Sequence, residues 1–388
     1  MIKATVCSSL LMVLCAAPAA AQQTPADVIS FLVTNQLVQT EDFERDRAAA
    51  AATRDTIVRA LLVNLASVPI ATSSSGFVYR LDPELGTMMR VSDSFGTFFV
   101  ERASTSGRGR VSFGVSGNTT GYDRLDGLNL RDGTLITTAN QFRDEAAPFD
   151  TDKLTLKVRT STLTLFGSVG VTDRLEIGGA VPLVQLHLEG SRVNVYRTQP
   201  PVLARGSADA SGLADIAVRG KYTLVSVPGA GFAVAGEVRL PTGDEDSLLG
   251  AGQAAVRVLA IGSLEHAHVG LHGNVAMSRG GVSDEIDGGS AITVALSPRV
   301  TATGEVLLRR LSGLREMVPL SVPHPKFGLV NTMRLVPGTK VTMVSSAVAG
   351  LKWNARSTMV VTGQVQWRLA NGGLTAPLTP TVAIDYLF

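Results

Sequence analysis

The sequence predicts an all-β fold: a closed antiparallel transmembrane β-barrel of about 12 strands, preceded by an N-terminal helical segment. Three observations carry this expectation. From residue 108 onward the apolar period is two, repeated over stretches of about 10–14 residues, the length of a tilted membrane-crossing strand. The connections alternate between long and short, as bacterial barrels require. The chain ends Val382-Ala383-Ile384-Asp385-Tyr386-Leu387-Phe388, with apolar residues alternating back from a terminal Phe.

Composition agrees. The 388 residues are 45% hydrophobic and 18% charged, with a mean hydropathy of +0.22. That much apolar surface excludes extended disorder. A formal net charge of +2 offers no basic footprint, so no nucleic-acid partner is expected. No later window holds 18 uninterrupted apolar residues, which excludes membrane-spanning helices.

Residues 1–21 read as a signal peptide, with Lys3 as its positive start and Ala19-Ala20-Ala21 as its cleavage site. Both cysteines, Cys7 and Cys15, lie within it, so the mature chain has neither disulfides nor thiolate chemistry. A lipoprotein reading of Cys15 meets a bulky Leu14 where a small residue is wanted.

Residues 22–107 read as a helical, plug-like segment. Val28, Ile29, Leu32, Val33 and Leu37 have helical spacing between Pro25 and Val38. A second helix opens at Thr40 with Glu41 and Asp42 in its first turn, and runs to Leu65 before Pro69. Phe77 to Arg90 reads as a short hairpin. The helices are expected in the lumen or over its periplasmic mouth.

Residues 108–388 read as the barrel. Val111, Phe113 and Val115 face lipid in alternation with Ser112 and Gly114, and the same pattern recurs to the C-terminus. Long connections are read at 123–151, 190–211, 241–251, 279–288, 312–339 and 370–379, and short turns near 172–173, 228–229, 263–264, 297–298 and 354–355. They join twelve strands, which returns the last strand to the periplasm. Residues 325–336 are read as ordered loop, because a thirteenth strand breaks that parity and Pro319, Pro323, Pro325 and Pro337 surround them. Tyr222, Phe232, Trp353 and Phe388 fall at periplasmic strand ends and Trp367 at the opposite rim, as interfacial aromatics should. The expected location is the bacterial outer membrane. The expected partners are its lipid and, through Phe388, the insertion machinery.

Lumen-lining candidates follow from the inward phase: Arg159, Arg219, Lys221, Glu237, Arg239, Arg257, Glu305 and Arg309. Such charges either set ion preference or pair across strands. His266, His268 and His272 share a phase, read as one strand face at i, i+2 and i+6 with Asn274 after them. Two imidazoles so spaced suit zinc or copper. A polar lumen wall is favoured, because no carboxylate or cysteine completes the set. Ser263 and Ser278 flank that strand without a nucleophile motif, so neither catalysis, metal nor cofactor is expected. The acidic loop at 241–246 suits calcium less well than an ordinary solvated hairpin. The glycine pairs at 280–281 and 288–289 lack phosphate-loop spacing.

The segments Thr172-Asp173-Arg174-Leu175-Glu176-Ile177-Gly178, Gly212-Leu213-Ala214-Asp215-Ile216 with Lys221-Tyr222, and Leu240-Pro241-Thr242-Gly243-Asp244 resemble the phenol-degradation MetA-pathway family of outer-membrane transporters. The ending from Leu378 to Phe388 is similar too, and the likeness covers roughly residues 108–388. Ala214 stands where that family usually has glycine. The resemblance implies a barrel passing small molecules, apolar or aromatic ones among them. The functional expectation is a channel for passive passage of a small-molecule permeant. Its rivals are a surface-interaction barrel without a pore and, less favoured, a barrel enzyme using the His strand.

Overall fold

The computed structural model describes residues 23–33, 43–65, 79–81, 88–90, 94–141, 150–195, 201–312, 316–324, 328–336, 338, 341–356 and 358–388. The signal-peptide reading lies outside the described residues, as do the second helix's predicted cap and its end at Pro69.

Twelve strands form the wall: β1 Val111–Tyr122, β2 Asp150–Gly170, β3 Leu175–Val195, β4 Ile216–Val227, β5 Ala230–Leu240, β6 Ala255–His266, β7 Val269–Gly280, β8 Glu285–Ser297, β9 Val300–Leu311, β10 Thr342–Arg356, β11 Met359–Arg368 and β12 Leu378–Leu387. Each pairs antiparallel with the next, and β12 pairs back onto β1 with Ile384 opposite Val115 and Tyr386 opposite Phe113. Closure leaves no unpaired edge for lipid, which cannot satisfy one.

Apolar side chains face outward around the wall and are exposed there, Val258 at 59% and Val275 at 64% among them. In a protein surrounded by water that surface would be costly; in hydrocarbon it is the solvated face. Tyr222, Phe232, Trp353 and Phe388 are exposed at the short-turn end and Trp367 at the other. The wall begins and ends at the short-turn end, where the Phe388 N–H donates to Val111 O at 2.9 Å. The protein is therefore a transmembrane β-barrel of the bacterial outer membrane, with that end in the periplasm.

Two short turns fall elsewhere than expected. Asn354 and Ala355 lie within β10, with Asn354 opposite Val360 and Arg356 opposite Met359. The second is the β6–β7 turn. Ser263 and Leu264 lie within β6, paired with His272 and Leu271. The hairpin turns at Ala267-His268 instead, with Ala267 at φ +47°.

The outer end departs further from the loops read there. β2 and β3 have 21 residues each, about twice what a tilted crossing needs. They rise past the lipid belt together. Val202–Leu213 pairs along the upper part of β3. Leu135–Gln141 pairs on the other side with upper β2, followed by Gly328–Val336 and Glu316–His324. Residues 328–336 are thus strand, not loop. The parity survives because this hairpin joins an outer sheet and not the barrel wall.

The inner face of that sheet carries two helices, α1 Pro25–Val33 and α2 Phe43–Leu65. Val28, Ile29 and Leu32 of α1, and Ile57, Leu61 and Leu62 of α2, share one buried core with Leu154, Leu156, Leu186, Leu188 and Leu335. The helices cap the outer mouth and not the periplasmic one. An apolar helix face needs a broad apolar wall, and the large buried leucine cluster lies above the belt. Lower down, threonine and charge are mixed with small apolar clusters around Leu259, Ile261 and Val360.

Local chemistry fixes the cap. Thr24 and Asp27 bond reciprocally, Asp27 N–H to Thr24 Oγ1 and Thr24 N–H to the Asp27 carboxylate, each at 3.1 Å. This satisfies two orphan donors at the start of α1. The Thr24 side chain, then its backbone N–H, holds the Asp27 carboxyl below its ordinary pKa. The loop between β5 and β6 keeps its acidic residues Asp244, Glu245 and Asp246 exposed and also serves as a tie. Buried Asp215 accepts from Gly243 N–H at 3.0 Å and Ala251 N–H at 2.9 Å. Leu248 and Leu249 from the same loop are buried in the helix core, and Ala26 N–H donates to Asp246 O at 3.1 Å.

Candidate functional site

Residues 94–107 run irregularly through the periplasmic half of the lumen, bound to its wall residue by residue. Phe95 N–H donates to Thr301 Oγ1 at 3.0 Å. The next three donors converge on one carboxylate. Phe98 N–H meets one oxygen of Glu305, while Phe99 and Val100 N–H meet the other at 2.9 and 3.1 Å. Lys352 Nζ donates to Thr97 O at 2.8 Å and stands 5.4 Å from the centre of the Phe98 ring.

Charges secure the following residues. Glu101 pairs with Arg219 and with Lys221, the latter at 3.6 Å. Arg102 pairs with Glu265 at 3.2 Å and donates back to Ser94 O at 3.0 Å. Ala103 donates to Ser263 Oγ at 2.9 Å and accepts from Thr223 Oγ1 at 2.7 Å. Ser106 N–H meets Glu176 at 2.7 Å. Buried ions persist only when paired and hydrogen-bonded. Here the segment and the wall each supply the other's counter-charges, and the segment sits in the lumen as a plug-like insert.

Six further inward charges form a compensated ladder. Glu237 binds Arg239 at 2.9 Å and Arg257 at 3.7 Å. Arg257 Nε reaches Asp287 at 3.0 Å. Arg309 makes a two-pronged bond to Glu285, at 2.6 and 2.9 Å, and donates to Asn64 of α2 at 3.0 Å. Of the eight charged candidates, Arg219, Lys221 and Glu305 therefore hold the plug, and Glu237, Arg239, Arg257 and Arg309 pair within the wall or with the cap.

Arg159 is a different case. It lies on the exposed outer face of β2, in phase with lipid-facing Leu163 and Leu165. The sequence reading took Leu154, Leu156 and Val158 as the lipid face and so turned Arg159 inward. Those three face the cap core instead, because β2 has already left the membrane at that height.

The histidines do not form one face. His266 ends β6, His268 sits in the turn, and both are exposed. His272 alone is buried in the lumen, with Nδ1 2.9 Å from Ser263 Oγ and Nε2 3.4 Å from Thr293 Oγ1. Ser263 and His272 are a nucleophile–base pair in outline. The third position holds a hydroxyl where an orienting carboxylate belongs, and Ala103 of the plug already occupies the serine. Among the described residues no three His, Cys, Asp or Glu side chains gather as a ligand set.

Beside the plug, from α2 down along β10, β11, β12, β1 and β2, lies a cavity of about 210 Å³. Its wall is largely hydroxyl and amide, Thr120, Thr160, Thr162, Thr362, Gln364 and Thr381 among them, with Phe98 and Phe99 of the plug opposite and the charged Arg309, Lys352, Arg368 and Asp385 also on its lining. Sequence reasoning missed this neutral face and the plug's own Glu101 and Arg102. The neutral face was legible as the inward phase of β1, β2, β11 and β12. The plug residues carry no periodicity that announces them.

No family model matches the chain, and no curated protein matches it. Among solved structures it is similar to an outer membrane channel from Pseudomonas putida F1, at 12% identity and TM-score 0.43, over 74% of this chain and 98% of that one. It is also similar to a Pseudomonas aeruginosa FadL homologue, at 9% identity and TM-score 0.34 over 72% and 90%. The outer membrane protease OmpT from Escherichia coli matches at 8% identity and TM-score 0.31, over 74% and 100%. Outer-membrane channels and an outer-membrane protease thus stand together among its likenesses, so what the chain does must come from its own lumen.

Proposed function

We propose that the protein is a gated outer-membrane channel for passive passage of small uncharged molecules, shut in the described state by its N-terminal segment. The observation that carries this is the hydroxyl- and amide-lined cavity beside the plug. Polar, neutral walls let water and neutral solutes exchange hydrogen bonds along a path. The ionic wall on the other side is consumed by the plug, so it sets no ion preference while the plug is seated. The resemblance of the segments around Glu176, Asp215 and Asp244 to the phenol-degradation MetA-pathway family supports the same reading, and extends the permeants to small aromatic molecules. We place residues 22–107 as the closing unit, and Phe388 as the residue engaged by the insertion machinery.

Single-channel recording in planar bilayers tests this. The mature chain should be mostly closed, with brief openings, and a chain lacking residues 22–107 should conduct steadily. Silence from both, with each barrel folded, would leave a surface-interaction barrel without a pore.

A further inference from the structure

The neutral side of the lumen holds two buried acceptors with nothing to accept from. The Thr362 hydroxyl and the Gln364 side-chain oxygen have no hydrogen-bond partner among the described residues. Thr362 is 5% exposed, and both residues line the cavity. They stand two residues apart on the inward face of β11. Opposite Gln364 on β10 is Gly350. A Cβ at Gly350 would come within 2.7 Å of the Gln364 Cβ, so this glycine keeps the wall open beside the amide. Unpaired buried polar atoms are costly, and two adjacent ones in a cavity wall mark a place built for a donor.

The charges around the cavity are already engaged. Lys352 is bonded to Thr97 O and interacts with the buried carboxylate of Asp385, Arg309 is bonded to Glu285, and Arg368 to Asp123. An ionic guest would shed water without gaining a counter-charge. The volume is below the roughly 300–1,000 Å³ typical of drug-sized pockets, which limits the guest to a few heavy atoms.

We propose that Thr362 and Gln364 form a binding station for a small uncharged molecule bearing hydroxyl groups, so that passage is saturable. This rests on reading the lumen as a channel. A guest hydroxyl donates to Gln364 Oε1, and a second exchanges hydrogen bonds with the Thr362 hydroxyl. The Phe98 and Phe99 rings offer an apolar face to the guest's carbon side.

The test is solute influx into proteoliposomes against concentration, corrected for protein-free liposomes, with glycerol and catechol as separate probes and lactate as the charged control. Influx of at least one hydroxylated probe should saturate, and lactate should be excluded. Glycerol alone saturating identifies a polyol guest, catechol alone an aromatic one. The double variant Thr362→Val, Gln364→Leu should raise half-saturation about tenfold, the loss of two neutral hydrogen bonds. Thr362→Ser, which keeps the hydroxyl, should retain the wild-type value, and a heat-dependent gel shift confirms that each variant is folded. Linear influx, or a double variant with unchanged half-saturation, overturns the station and leaves the channel standing. No influx of any probe, even through a Glu305→Gln barrel with its plug loosened, overturns the channel reading itself.

Discussion

Glu305→Gln is the sharpest probe of the plug. One Glu305 oxygen takes Phe98 N–H, and the other takes both Phe99 at 2.9 Å and Val100 at 3.1 Å. An amide keeps one acceptor oxygen and turns an NH₂ group toward the remaining donors. At least one charge-assisted bond is lost in either rotamer, and a buried N–H is left facing another donor. Such a bond contributes about 1.5–3 kcal/mol. The equilibrium for unseating the plug should therefore shift by roughly tenfold to a hundredfold. The β9 backbone ladder does not involve this side chain, so the barrel should stay folded. The assay is open probability in planar bilayers, beside a gel-shift check of folding. An unchanged open probability in a folded variant would refute the assignment of Glu305 as the plug's anchor.

Other outcomes follow from the same contacts. Glu101→Gln breaks a buried pair with Arg219 and Lys221, so open probability should rise as for Glu305→Gln, and the two together should exceed either alone. Asp215→Ala removes the acceptor for Gly243 and Ala251, and limited proteolysis should then nick the 241–251 loop faster while the wall resists. Val258→Arg puts a cation on the lipid face at a position 59% exposed, and should lower barrel stability in lipid by about 2–4 kcal/mol, read by denaturant refolding into vesicles. Asp27's carboxyl is held low in the folded chain, so its support of α1 is complete above the ordinary carboxyl range. It should fade as pH falls through the lowered value, seen as faster amide exchange in α1 at the acid end.

The barrel was legible because lipid imposes a rule that reads directly in sequence: outward residues on a crossing strand are apolar, and parity fixes the strand number. The same rule misled above the membrane. Leu154, Leu156 and Val158 obey the alternation, yet they face a helix core, and nothing in residues 150–160 marks where the bilayer stops. The His reading failed for a related reason. His266, His268 and His272 share a phase only if the strand is unbroken, and a two-residue hairpin at Ala267-His268 leaves no glycine or proline to announce itself. The ion pairs were illegible in principle, since Glu305 finds its partners some two hundred residues away in a segment without periodicity.

The lumen is therefore divided by chemistry. Strands β3 to β9, with Lys352 of β10, carry the carboxylates and cations, and Glu176, Arg219, Lys221, Glu305 and Lys352 among them take partners from residues 94–107. Withdraw the segment and Glu305, Arg219, Lys221 and Glu176 all lose partners at once, so the closed state is cooperative and not a loose obstruction. Strands β11, β12, β1 and β2 present mainly hydroxyls and amides, with Asp385 facing Lys352 and Arg368 paired to Asp123, and there the cavity persists. A solute that moves along the neutral side leaves the ionic contacts intact, whereas one that needs the full lumen must break them together. On the proposed channel reading, charge on the wall acts to shut the barrel and not to select its cargo.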